Sequence, residues 1–202
     1  MASTRTGHVM SGDGAGVRER ALALGAEANL IGILSEPALP PDSPVATPRP
    51  VVLFLNAGVS GPKHQSVDAV TEAELGALLM TNATAPLRIA RRLLPNVVDG
   101  GTIAFMSSRM GSVADNQSGG MDLYRASKAA LNSLTRGFAA TAAPDRKVSV
   151  LTLHPGWVRT DMGGASAPLS IEQSVTGVAD VLEAPRTARH VFLDYQGLEL
   201  PW

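Results

Sequence analysis

Cysteine is absent from all 202 residues, which excludes disulfides and thiolate chemistry and fits a reducing compartment. No run of lysine and arginine occurs, and a formal net charge of -1 with a pI near 6.4 gives no broad electrostatic reason to bind nucleic acid or an anionic membrane. His8, His64, His154 and His190 lack the paired spacing of metal ligands, and none sits in a Ser and acid motif, so no metal is expected. The longest uninterrupted apolar strand signal, Val51 to Leu55, is far too short to span a bilayer, and the first fourteen residues lack the apolar stretch of a signal peptide. The cytoplasm is therefore the expected compartment. There are no internal repeats, and 45% hydrophobic with 17% charged residues is ordinary for one globular domain over residues 1–202.

What the chain does contain begins with Tyr124, Arg125, Ala126, Ser127 and Lys128. A tyrosine and a lysine four apart share one helix face, which sets an ammonium beside a phenol. A phenol titrates near ~10, and a neighbouring cation is expected to move it towards the working range for passing a proton to or from an alcohol or carbonyl oxygen. At that spacing alone the pair is also common on solvated helices, so its surroundings matter. Gly101 to Ser108 reads as a buried strand ending in two hydroxyls, with Ser108 sixteen residues before Tyr124. Val148 to Leu153 reads as a strand running into His154, Pro155 and Gly156, then Trp157, Val158, Arg159 and Thr160. Val51 to Leu55 is an apolar run of the kind buried in a parallel sheet, and it opens into Asn56, Ala57 and Gly58. Ligands of open α/β sheets bind at such carboxyl ends of strands.

With these pieces in place, the chain resembles the short-chain dehydrogenase/reductase family over roughly residues 50–202. The Asn56-Ala57-Gly58 turn, Asn82, Ser108, the Tyr124 and Lys128 pair, and Pro155-Gly156 with Val158 and Thr160 carry the resemblance. His154 to Gly164 and the ending from Asp194 to Trp202 look like its C-factor-like subgroup. The resemblance implies an NAD(P)-dependent carbonyl reductase or alcohol dehydrogenase with a small-molecule substrate. It assigns general acid/base work to Tyr124, pKa lowering and a hold on the nicotinamide ribose to Lys128, the substrate oxygen to Ser108, and a proton relay through water to Asn82. It also implies cofactor contacts at Asn56, Ala57, Gly58, Pro155, Gly156, Val158 and Thr160. The implied fold is α/β, a single Rossmann-like three-layer α/β/α domain with a mostly parallel sheet.

The amino-terminal third departs from that pattern. Ser11, Gly12, Asp13, Gly14, Ala15, Gly16, Val17 and Arg18 lie between a short strand-like piece and a plausible helix, the context a phosphate cradle requires. Ser11, Gly12 and Gly16 match the family's glycine pattern, and Arg18 replaces its last glycine. Amides at Gly16 and Val17 suit a pyrophosphate, and Arg18 either splays the helix or adds a cationic contact to phosphate. A glycine-rich turn without a ligand is the competing reading. After an expected second strand, Asn29 to Leu34, only Ser35 to Pro50 intervene before the Val51 run. Pro37, Pro40, Pro41, Pro44, Pro48 and Pro50 forbid a helix or a central strand there. A sheet lacking its third strand unit follows, with residues 1–34 an altered cofactor cradle, 35–50 a loop and 51–202 the catalytic part. Ser35 or Glu36, the latter twenty residues after Gly16, is a candidate for the adenosine ribose.

Thr71 and Glu74 form a capping box opening a helix that carries Leu75, Leu78, Leu79, Asn82, Leu87 and Leu94, with Pro86 as a possible bend. A second helix, Leu123 to Thr141, bears Ala126, Ala129, Ala130, Leu134 and Phe138. The resemblance implies that these two helices assemble a homodimer or homotetramer. His190 to Asp194 reads as a last strand before a Gly197 turn, and Gly163 to Ser170 occupies the substrate-loop position. The functional alternatives are an isomerase, dehydratase or cyclase on the same scaffold without nicotinamide turnover, and a non-catalytic relative. The complete Asn82, Ser108, Tyr124 and Lys128 set argues against the latter. NADP and NAD are not distinguished, because no clear basic pair follows the second strand.

Overall fold

The computed structural model describes residues 31–35, 50–144, 147–185 and 189–202. Five strands form one sheet in sequential order: β1 (Ile31–Ser35), β2 (Pro50–Leu55), β3 (Thr102–Met106), β4 (Ser149–His154) and β5 (His190–Asp194). β2 to β5 are parallel, and β1 pairs antiparallel with β2. The expected strand at 29–34 is thus realised at Ile31–Ser35, with its direction reversed relative to the rest of the sheet. Ser35 and Pro50, assigned above to the loop, close the two strands and are partners across a register shift. Residues 36–49, Glu36 included, lie outside the described residues, as does the whole 1–30 segment with Ser11, Gly12, Gly16, Val17 and Arg18.

Among the described residues, four α-helices cover the sheet: α1 (Glu72–Leu79), α2 (Ala85–Leu93), α3 (Asp122–Thr141) and α4 (Ile171–Glu183). Strand alternation sorts the apolar side chains into two cores. Leu53 and Leu55 of β2, Ile103 and Phe105 of β3 and Val150 of β4 pack with Leu87 and Ala90 of α2 and Leu131 and Phe138 of α3. On the opposite face, Val52, Ala104, Leu151, Leu153, Val191 and Leu193 meet Val178, Val181 and Leu182 of α4. The outcome is the three-layer arrangement expected for a Rossmann-like domain. Thr71 closes the expected capping box on α1 with Glu74, and Ser170 and Gln173 make the same device on α4. Among the described residues no helix is long and apolar enough to cross a membrane, and no group of three or more His, Asp or Glu is placed to hold a metal ion.

Beyond β5 the chain turns at Gly197, whose φ of +82° lies in the left-handed region that glycine tolerates. It then runs back along the strand, with the Leu200 N–H donating to Phe192 O at 2.8 Å. Trp202 stacks on His190 and Phe192, at 4.6 and 5.4 Å between ring centroids, beneath the Arg136 guanidinium. This covering half-buries His190, whose pKa falls to about 4 through desolvation and then the nearby Arg136 charge. Burial likewise takes His154 to about 4. Between pH ~6.5 and 4 the unfolded chain binds protons that the folded chain refuses, so stability must fall as pH falls through that window. Replacing His190 by Gln, which keeps a hydrogen-bonding group towards Thr152, should flatten the decline in urea midpoint across that range.

Candidate active site

Three of the parallel strands end side by side, and each carries one sequence motif at its carboxyl end. β2 opens into Asn56-Ala57-Gly58, β3 into Ser107 and Ser108, and β4 into Pro155-Gly156. The Ser107 N–H donates to Leu153 O at 2.7 Å, extending the β3 and β4 pairing into the turn that presents Ser108. Ser108 caps a short 3-10 turn, Arg109–Gly111, its Oγ accepting from the Met110 N–H at 3.2 Å.

Asn82 reaches this place through an irregular helix. Between α1 and α2 the backbone makes one π-helical turn, Met80–Thr84, in which the Ala85 N–H reaches back to Met80 O. Such turns recur at functional sites because they redirect side chains without ending the helix. The distortion precedes Pro86, which lies in the first turn of α2. Asn82 is fully buried, and its amide is fully engaged. Oδ1 accepts the Val59 N–H at 2.8 Å, while Nδ2 donates to Val59 O at 2.8 Å and to Ser127 Oγ at 2.9 Å. The side chain thus pins the loop after Gly58 to α3. Pro86 has no N–H to offer the Asn82 carbonyl in the usual helical pattern.

On α3, Tyr124 and Lys128 sit one turn apart, with Lys128 Nζ 5.8 Å from the Tyr124 ring centroid. Lys128 is 2% exposed, and its ammonium donates to Met106 O at 2.9 Å. A Cβ at Gly58 would stand 3.1 Å from Nζ, so the Asn-Ala-Gly turn lies directly against the ammonium. Gly111 meets the same helix still more closely, since a Cβ there would fall 2.8 to 2.9 Å from Lys128 backbone and Cβ atoms. Burial lowers the Lys128 pKa to about 8. Tyr124 behaves differently from the sequence expectation. Burial raises its pKa above the ordinary phenol value, and only the hydrogen bond from Ser108 acts in the lowering direction. The reason is geometric: the ammonium lies over the ring and spends its hydrogen bond on Met106 O, while the phenol is withdrawn from water. At neutral pH Tyr124 therefore keeps its proton.

The Pro155-Gly156 turn is fixed from behind. Ser174 of α4 donates to Pro155 O at 2.6 Å, and Gly156 has a φ of +83° with Leu169 filling the space where a Cβ would project. Val158 bridges to Leu169, and Thr160 Oγ1 accepts the Gly163 N–H at 3.0 Å, which folds the 157–169 segment on itself. Thr160 thereby serves its own loop. Trp157 donates to Gly163 O and leaves its ring 55% exposed.

Residues not singled out in the sequence complete the site's frame. Ser107 Oγ donates to Asn132 Oδ1 at 2.6 Å, and Asn132 Nδ2 donates to Gly111 O at 3.1 Å. Asn132 thus ties both ends of the Ser108 turn to the catalytic helix. Ser127 donates to Tyr124 O while accepting from Asn82. The available signal was the spacing of Ser127, Lys128, Asn132 and Thr135, polar residues set among Leu131 and Phe138 in the buried stripe of α3.

The burial of Lys128 has a measurable consequence. From pH 8 to about 10 the unfolded lysine holds a proton that the folded one has released, so the folded state gains stability as pH rises, towards about 3 kcal/mol if the full separation of pKa values is reached. Lys128→Met should abolish that rise in urea-unfolding curves, and an unchanged pH dependence would contradict the burial of a titrating ammonium.

Comparison with known proteins fits this geometry. The model of the short chain dehydrogenase family matches residues 49–168. The "C-signal" protein of Myxococcus xanthus is 44% identical over 156 residues, which is 75% of this chain and 92% of that protein. A dehydrogenase from Rhodococcus acting on 1-hydroxy-2-glutathionyl-2-methyl-3-butene is 36% identical over 127 residues, and this chain spans 55% of its length. A Pseudomonas aeruginosa carbonyl reductase solved in complex with NADP is 48% identical at a TM-score of 0.70, over 76% of this chain and 67% of the other. With the matching region running from the start of β2 through the Tyr124 helix to the loop after Pro155, the chain belongs to the short-chain dehydrogenase/reductase family of oxidoreductases.

Proposed function

We propose that the protein reduces a small carbonyl compound, or oxidises the matching alcohol, with NADP or NAD as the hydride carrier. The observation that carries this reading is a buried Tyr124 phenol whose pKa is raised by that burial, with the Lys128 ammonium 5.8 Å from its ring centroid and the Ser108 turn beside it. The described residues fit the nicotinamide end of such a cofactor. Lys128 offers more N–H groups than its bond to Met106 O uses, beside a Gly58 whose bare backbone lies against the ammonium, and both features suit ribose hydroxyls. Asn56, Ala57, Gly58, Pro155, Gly156, Val158 and Thr160 would border it. The nicotinamide, when bound, supplies the hydride. Tyr124 gives its proton to the substrate oxygen as negative charge develops there, and Ser108 donates a second hydrogen bond to the same atom. Lys128 then offsets the charge left on the phenolate, and a water relay at Asn82 returns a proton. The NADP-bound Pseudomonas aeruginosa relative supports the cofactor class. Ser11, Gly12, Gly16, Val17 and Arg18 remain the candidate phosphate cradle.

General acid catalysis contributes about 10²–10⁴-fold, so Tyr124→Phe should lose at least about a hundredfold in kcat while keeping its urea midpoint. Turnover assayed with NADPH and NADH on a panel of aldehydes and ketones measures this, alongside calorimetry of each nucleotide. Near wild-type turnover in the variant would exclude Tyr124 as the acid.

We infer further that two copies associate through α1, α2 and α3 in the cytoplasm. Met80, in the π-helical turn between α1 and α2, and Leu134 of α3 are each 44% exposed, apolar area of the kind a partner covers. Light scattering should give about twice the chain mass of 20.9 kDa at micromolar concentration, and the mass of one chain would count against association.

A further inference from the structure

The loop between Gly58 and α1 contains a glutamine whose backbone is out of place. Gln65 has a φ of +50°, in the left-handed region that favours glycine and asparagine, where an unbranched side chain costs about 1 kcal/mol or more. Its side-chain amide accounts for the conformation. Nε2 donates to Ser60 O at 2.8 Å and to Pro62 O at 2.7 Å, and Oε1 accepts the backbone N–H of Tyr124 at 2.9 Å, fifty-nine residues away in sequence.

That last bond fills a gap. The first N–H groups of a helix have no partner within it and normally find a capping side chain. Met121, which precedes α3, is itself left-handed and makes no side-chain cap bond. Gln65 supplies an acceptor to the first turn, at the amide of the residue that carries the phenol. Its other two bonds hold the stretch that continues from Gly58 and Val59, the residues placed against Lys128 and Asn82. One amide side chain thus spans from the turn beside the ammonium to the backbone of Tyr124.

We propose that Gln65 is a positioning residue, fixing the phenol of Tyr124 relative to Ser108 and Lys128 by clamping the Tyr124 backbone to the loop after the Asn-Ala-Gly turn. The proposal rests on Tyr124 as the proton-transferring group, and it is separable from turnover because Tyr124 can be observed directly. The chain has two tyrosines, Tyr124 and Tyr195, so labelling with tyrosine carrying carbon-13 at Cζ gives two signals, assigned with Tyr195→Phe.

Gln65→Gly and Gln65→Asn both tolerate the left-handed backbone, so they remove or shorten the clamp without adding strain. In each, the Tyr124 signal should titrate at lower pH than in the parent, towards the ordinary phenol value near ~10, as the ring loosens from its buried seat. With NADPH and a carbonyl substrate, kcat should fall about tenfold or more while the KM for NADPH stays within about twofold, the mark of lost positioning rather than lost binding. A Tyr124 signal that titrates as in the parent in folded Gln65→Gly overturns the proposal, whatever turnover does. A displaced titration in a protein that turns over no carbonyl substrate upholds the clamp and rejects the reductase reading instead.

Discussion

The burial of one ammonium organises this molecule. Lys128 is withdrawn from water on the inner face of α3, and a charge there is tolerated only where oxygen atoms and open space for a polar ligand lie within reach. Met106 O supplies the one oxygen, from the last residue of β3. That bond ties the helix to the end of β3; a Cβ at Gly58 would stand 3.1 Å from the ammonium, and one at Gly111 would fall within 2.8 to 2.9 Å of the Lys128 backbone and Cβ. Helix register, the close Gly58 turn and the location of the Tyr124 phenol are all tied to seating the same charge.

Amide side chains do the fine placement around it. Asn82 bonds the 58–59 loop to Ser127, Asn132 bonds both flanks of the Ser108 turn to α3, and Gln65 bonds the next stretch of loop to the Tyr124 backbone. Each amide offers donor and acceptor at once, so a single side chain can satisfy two segments that would otherwise leave polar backbone groups unpaired in a water-poor place. Rigid placement of this kind holds donor and acceptor at fixed distances, which is what proton transfer needs. The π-helical turn at Met80–Thr84 belongs to the same device, since it delivers Asn82 inward without breaking the long helix.

Tyr124 shows two opposing effects with a clear winner. The Ser108 hydroxyl favours phenolate, but desolvation favours the neutral phenol more, and the nearby ammonium acts over the ring face while itself losing proton affinity through burial. Two groups that would each titrate near ~10 in water are thereby pushed in opposite directions, leaving a firmly held proton on Tyr124 and a readily released one on Lys128. That asymmetry suits delivery of a proton to a developing alkoxide.

Much of this was legible in the residues alone, for reasons that differ by element. The runs at β2, β3, β4 and β5 announce themselves because buried parallel strands must be apolar on both faces, and the box at Thr71 because helix ends need local acceptors; the matching box at Ser170 was not read from the sequence. Tyr124 and Lys128 share a face by helical geometry, whatever the rest of the chain does. Contacts between segments far apart in sequence are another matter. Nothing in the order of residues reveals that Gln65 meets Tyr124, that Asn132 spans the Ser108 turn, or that Asn82 is consumed in holding a loop, because those pairings exist only after the sheet has brought three strand ends together. The reversal of β1 and the raised Tyr124 pKa belong to the same class. Direction in a sheet depends on what the connection permits, and a pKa depends on the balance between burial and partners, so spacing determined which groups are neighbours while packing decided what each does to the other.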